Sequence, residues 1–225
     1  MKNSDNKGEA PITEEMLASL RERIKPYLTD KRYLHTLAVE KEVRALGSIY
    51  LSDSIEKLSA AALLHDITKR LSVQEQLDLC REFGIPADPD DAKYSAKLFH
   101  AKTAAAAAQR DFPEFALPEV ISGIRWHTTG RAGMSTFEAL VYLADYIEET
   151  RTFEDCVRLR EYFYSGLSDC RSDGDREALL CKTMIMSFDM TVKNLIDEAA
   201  LVDRDTVEAR NYYLIKSKNA SVRKV

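Results

Sequence analysis

Apolar positions recur along this chain at three- and four-residue intervals, the spacing of a helix face rather than of a strand. In RYLHTLAVEKEVRALGSIY, Leu34, Leu37, Ala38, Val43 and Leu46 keep that rhythm, which predicts a helix from about Asp30 to Tyr50. Thr13 is placed to cap a helix opening with Glu14 and Glu15, and Ile12 and Leu17 stand at hydrophobic-staple positions around it. Asp53 with Glu56, Ser72 with Glu75 and Ser135 with Glu138 have capping-box spacing; they open IEKLSAAALLHDITK, VQEQLDLCREF and FEALVYLADYIEE. AKTAAAAAQR is rich in the strongest helix former, and Pro118 suits the first turn of PEVISGIRWH. Further helices are expected over EDCVRLREYF and over residues 175 to 199. No stretch joins β-branched enrichment to period-two alternation. The prediction is an all-α bundle, with a tail at residues 1–11, one helical domain over 12–215 and a charged tail at 216–225.

Composition narrows what such a bundle can do. Hydrophobic residues make up 45% of the 225 positions, enough for a sizeable core and too many for a disordered chain. Lys and Arg total 32 against 37 Asp and Glu, a net charge of -5, so no nucleic-acid partner is expected. A small anionic ligand held by a few local cations is compatible with that balance. Cys80, Cys156, Cys170 and Cys181 show no CxxC spacing, which points to reduced structural thiols rather than a thiolate zinc site. The polar MKNSDNKGEAPITEE lacks the apolar core of a signal peptide, and no run approaches the roughly 18 apolar residues of a membrane span. A cytoplasmic protein with no membrane partner is the expectation. The long helix near 175 to 199 is as suited to pairing in a homodimer as to packing on its own domain.

The chemistry concentrates in few residues. The chain has four histidines, His35, His65, His100 and His127, each on or beside a different predicted helix. Asp66 follows His65 directly, and Asp145 interrupts the apolar run LVYLADYI, where an uncompensated carboxylate would be costly to bury. Taken singly, each is most simply a surface residue or a hydrogen-bonded core residue. Together they resemble the ligand sets that antiparallel bundles gather at one interior point. Imidazole with carboxylate suits iron, manganese or zinc, and the two oxygens of Asp66 are able to bridge two ions. Lys69, one turn beyond His65 and Asp66 on the same predicted face, is placed to neutralise an anionic substrate or protonate a leaving oxygen. Arg32, one turn before His35, shares that face. In WHTTGR, the hydroxyls of Thr128 and Thr129, the flexible Gly130 and the Arg131 guanidinium form a phosphate-binding set beside His127. The plainer reading is a helix-ending loop capped by Gly130, and both can hold. Trp126 is expected in the core.

HDITK, the spaced His100, HTTGR followed by Met134-Ser135, and ADYIE followed by Arg151 resemble the YqeK-type HD-domain proteins. These are bacterial symmetrical diadenosine tetraphosphatases within the HD phosphohydrolase superfamily. The resemblance runs from about residue 26 to residue 165 or beyond, and HTTGR and ADYIE are its most specific parts. Glu149 and Thr150 stand where that family often has a proline before its arginine. The resemblance implies an HD-domain helical bundle with a dinuclear metal centre, iron by preference, with manganese, cobalt or zinc as alternatives. It implies His35, His65, Asp66 and Asp145 as ligands of one metal, and His100, His127 and the shared Asp66 as ligands of the other. Asp66 and Lys69 become the catalytic pair. Arg32, Thr128, Thr129, Gly130, Arg131 and Arg151 become the substrate contacts, and the partner a small dinucleoside polyphosphate or nucleotide. Metal-activated hydroxide would cut diadenosine tetraphosphate into two ADP. Another nucleotide substrate within the same superfamily, or a non-catalytic nucleotide-binding regulator, are the rival expectations.

Overall fold

A computed structural model of the chain describes residues 11–87 and 98–222, and within them the pattern resolves into ten α-helices with no strand. The expected tail at residues 1–11 lies almost wholly outside the described residues. The helices are α1 (Glu14–Arg23), α2 (Asp30–Tyr50), α3 (Ile55–Leu64), α4 (Val73–Glu82) and α5 (Phe99–Asp111). They continue with α6 (Pro118–Trp126), α7 (Thr136–Ile147), α8 (Glu154–Asp169), α9 (Asp173–Asp197) and α10 (Arg204–Val222).

Local signals set most of these boundaries. The Thr13 hydroxyl accepts from Met16 N, and Ile12 and Leu17 are buried in one core. Ser72 with Glu75 and Ser135 with Glu138 form complete capping boxes, each satisfying two end-of-helix donors reciprocally. Asp53 does not cap: Ser52–Ser54 tighten into a 3-10 turn, and α3 begins at Ile55 without a side-chain cap. Helix α3 also stops at Leu64, so His65, Asp66 and Lys69 ride on a run of tight turns rather than on a helix. The β-branched Ile67 and Thr68 weaken helix there, and Lys69 N instead closes a turn on Asp66 O at 2.9 Å. Helix α10 continues to Val222, through the first residues of the expected charged tail.

The central helices α2, α3, α6 and α7 pack on one another, with α1 against α3 and α5, which carries α4, against α6. Helix α9 lies between α8 and α10, so its apolar face is used within the chain. Leu46, Leu58, Leu63, Ile124, Leu140, Leu143 and Phe188 are fully buried in the shared core. Leu34, although in rhythm with the α2 stripe, is 63% exposed. No helix among the described residues is long and apolar enough to cross a membrane.

Candidate metal centre

The elements that hold the site end or bend at it. His35 sits in the second turn of α2, His65 and His127 at the residues just past α3 and α6, His100 at the start of α5, and Asp145 near the end of α7. Five segments distant in sequence therefore deliver their side chains to one interior point. Asp66, only 2% exposed, lies at its middle.

The two carboxylate oxygens of Asp66 face different partners. Oδ2 is 3.4 Å from His65 Nε2 and 3.9 Å from His35 Nε2. Asp145 Oδ1 joins that side, 3.0 Å from His35 Nε2 and 3.8 Å from His65 Nε2. Oδ1 of Asp66 is 3.2 Å from His100 Nε2 and 3.7 Å from His127 Nε2, and those two nitrogens are 3.0 Å apart. His35, His65 and Asp145 can surround one ion, and His65, Asp66 and His127 another position. His35 Nε2, His65 Nε2 and Asp66 Oδ1 are buried without a hydrogen-bond partner. Buried polar atoms left so are costly, and cations at these two positions would satisfy all three between them. The residues present fit a metal. The four cysteines are free thiols and take no part in these groups.

Electrostatics agree with that fit. Burial works against charge on Asp66, but His65, Lys69, His100 and His127 outweigh it and hold the carboxyl well below its usual range. Asp145 behaves alike, with Arg151, His35 and His65 outweighing burial. Burial and the Lys69 ammonium push His100 down to about 3, and burial pushes His127 down too. Both rings are thus neutral at pH 7, the form that ligates. His35 goes the other way: burial lowers it, but the neighbouring Asp145 and Glu148 carboxylates raise it above the ordinary histidine value. A positive charge between His35 and Asp145 is what these carboxylates favour.

Around this core, the residues expected to meet substrate divide into two groups. Arg32 Nη1 donates to Asp66 Oδ2 at 2.9 Å, Arg151 Nη2 to Asp145 Oδ1 at 2.6 Å, and Lys69 Nζ lies 2.9 Å from His100 Nε2. Thr128 Oγ1 lies 3.0 Å from His127 Nε2 and 3.1 Å from His100 Nε2. These four face the centre. Thr129 is buried and donates to Gly130 O at 2.9 Å. Gly130 takes φ +63, and a Cβ there would meet Phe188 Cζ at 2.6 Å, so only glycine makes this turn without strain. Arg131 forks onto Glu138, at 2.9 Å from Nε and 3.1 Å from Nη2. Glu138 is 1% exposed, also accepts from Ser122 and from Ser135 N, and its carboxyl sits below the ordinary value because these donors outweigh burial. Trp126 is half-buried beneath the guanidiniums of Arg125 and Arg131 rather than in the core.

Two buried carboxylates escaped the sequence reading as site residues. Glu138 read only as a capping residue, and Glu148 only as the last residue of ADYIE, with no role of its own. Glu148 Oε1 is 3.0 Å from His35 Nδ1. Burial would raise its carboxyl, but His35 and Thr150 hold it below the usual value. One signal was legible: an acid at the negative end of a helix dipole is misplaced unless something else needs it.

A helical bundle that gathers imidazoles and carboxylates at buried turns defines a class, and residues 32–150 match the HD domain family. Among curated relatives, the symmetrical bis(5'-nucleosyl)-tetraphosphatase of Staphylococcus aureus is 30% identical over 189 residues, covering 84% of this chain and 90% of its own length. The protein of that name from Halalkalibacterium halodurans is also 30% identical, covering 87% of this chain and 95% of its own. A crystal structure from Clostridium acetobutylicum, described as a predicted HD superfamily hydrolase involved in NAD metabolism, superimposes with a TM-score of 0.74 at 30% identity. It covers 88% of this chain and 97% of that one. The chain belongs to the HD-domain family of metal-dependent hydrolases, in the group of the symmetrical bis(5'-nucleosyl)-tetraphosphatases.

Proposed function

We propose that the chain hydrolyses diadenosine tetraphosphate symmetrically to two ADP at a dinuclear metal centre, with iron as the resident metal and manganese, cobalt or zinc as workable substitutes. The observation that carries this reading is the division of Asp66, one oxygen toward His35 and His65 and the other toward His100 and His127. The names of the relatives support the substrate. In this reading His35, His65, Asp66 and Asp145 hold one metal, and His100, His127 and Asp66 the other. When bound, such a pair supplies Lewis acidity and lowers the pKa of water at the site.

The chain's own residues bind and orient the substrate. Arg32, Lys69 and Arg151 form a cationic rim at the ligand carboxylates, and an anionic polyphosphate satisfies their donors. Guanidinium forks suit phosphate oxygens that lie in one plane, whereas the Lys69 ammonium offers a compact charge beside His100. Lys69 is half-buried, and burial pulls its ammonium below the usual lysine value, which makes proton donation to a leaving oxygen easier. ADP is already a good leaving group, so Lys69 acts mainly through its charge. Thr128 offers a hydroxyl beside His100 and His127, while Thr129, Gly130 and Arg131 shape the loop that carries it. Every one of these groups comes from a single chain, and a cytoplasmic location suits a nucleotide substrate.

The test is product identification. Protein loaded with ferrous iron or manganese and given diadenosine tetraphosphate in water labelled with heavy oxygen should yield ADP alone, with label in one of each pair. Equal AMP and ATP would overturn symmetric cleavage. Higher kcat/KM on a nucleoside triphosphate, a guanosine alarmone or a cyclic dinucleotide would assign a different substrate to the same centre. Binding without turnover by metal-loaded protein would make the chain a regulator.

A further inference from the structure

An imidazole that is to meet a metal through its inner nitrogen needs its outer one fixed, and for three of the four rings the chain does this in two ways. His65 Nδ1 and His127 Nδ1 each lie 2.6 Å from a backbone carbonyl three residues back, Ala62 O and Ile124 O. Both histidines stand just past a helix end, where the last carbonyls have no helical partner and are available as acceptors. His35 has no such carbonyl within reach. It lies inside α2, where the ladder of the helix uses the carbonyls around it. Its Nδ1 is instead 3.0 Å from Glu148 Oε1, a carboxylate at the end of the neighbouring α7 and 0% exposed.

The C-terminal end of a helix is an unfavourable place for a buried carboxylate. Glu148 is the C-cap of α7, at the negative end of the helix dipole, and its charge is taken fully out of water. The surrounding chain is arranged to hold it there. Thr150 donates its backbone N–H to Oε2 at 2.5 Å and its hydroxyl to Oε1 at 2.7 Å. Arg160 on α8 ties down the backbone of the same loop, donating to the carbonyls of Ile147, Glu148 and Arg151. Thr150 therefore has a use at a position where a proline would bring neither donor.

We propose that Glu148 is the positioning residue of the metal site, accepting the Nδ1 proton of His35 so that Nε2 points its lone pair between Asp66 and Asp145. This rests on the metal-centre reading above. A carboxylate behind a ligating imidazole fixes its tautomer and orientation and raises its basicity. The effect belongs to the His35 side alone, since His65 and His127 are fixed by backbone.

Calorimetric titration of the whole protein with manganese separates the possibilities. His35→Ala identifies the binding step that needs His35. Glu148→Ala should weaken that step about ten- to hundredfold and leave the other within about twofold. Glu148→Gln keeps an acceptor oxygen and should recover most of the loss, which a purely packing role would not distinguish by step. Unchanged affinity in Glu148→Ala, or equal weakening of both steps, overturns the proposal. Should Glu148→Ala fail to fold, the wild type decides: in zinc-loaded protein, nitrogen-correlated NMR should place the His35 proton on Nδ1, and a proton on Nε2 overturns the assignment. Wild type that takes up neither manganese nor zinc would overturn the metal-centre reading itself and this inference with it.

Discussion

The two sides of Asp66 are built differently. Toward His35 and His65 the centre adds a second carboxylate, Asp145, and behind it the buried Glu148, with Arg32 and Arg151 turned inward onto the acids. Toward His100 and His127 no further carboxylate is added among the described residues; Thr128 and Lys69 are the neighbours instead. The loops differ in the same sense. Residues 147–151 bring their arginine into the centre, whereas the loop after His127 turns Arg131 away onto Glu138. One side adds negative charge balanced by two arginines, and the other carries only hydroxyl and ammonium donors beside its imidazoles. Ligand charge count raises metal affinity, so the His35 side should bind metal more tightly and the His100 side should exchange it more readily.

The sharpest test of the comparison removes what both sides share. Asp66→Ala should cost both metals, and the lost Lewis acidity, worth several kcal/mol, corresponds to at least about a thousandfold in turnover. Near-normal turnover at full metal content would mean that Asp66 joins nothing. Next come the single-sided changes. Asp145→Asn should empty the tight step in a metal titration and spare the weak one, and His127→Ala should do the reverse. Identical losses from both would erase the distinction between the sides.

The arginines come third. Arg151→Ala should lower kcat/KM about 10- to 100-fold, the scale of a lost charge-assisted contact, with Arg151→Lys recovering little of it. Arg131→Ala should instead lower stability by about 1–3 kcal/mol, because it strands the buried Glu138 carboxylate. That is a fall in Tm of roughly 3–10 °C for a domain of this size. A large kcat/KM loss with unchanged Tm would return Arg131 to the substrate. The smallest effect is in pH. Because Glu138 is held below the ordinary carboxylate value of 4.5, its contribution is present above that pH and lost as pH falls through the folded value. The Tm gap between wild type and Glu138→Gln, measured from pH 6 down to about 3, should narrow on the acid side and never widen there.

Much of this molecule is legible along the chain because its signals are local. Capping at Thr13, Ser72 and Ser135 depends on residues three apart, and the chain adopts those caps wherever the helix ends up. Helical periodicity likewise requires only neighbours, so an all-α bundle followed from the pattern. The four histidines stood out by lying on or beside different predicted helices and the two aspartates by their settings, and the structure gathers the other five around Asp66. Local rules failed where packing overrode them: Asp53 has capping spacing without capping, and α3 yields to turns at His65 so that Asp66 can face both pairs of imidazoles. Which way an arginine turns is not written in its own segment. Arg131 and Arg151 looked alike beside their motifs, and the difference lies in which acid the fold brings to each, Glu138 or the ligand carboxylate Asp145. Glu148 makes the same point most strongly. Its neighbours in sequence suggest an exposed charge, and only the approach of α2, more than a hundred residues earlier, gives it a proton to accept. Hydrogen bonds and charges act over a few ångströms of space, and the chain alone specifies such distances only between residues close in sequence.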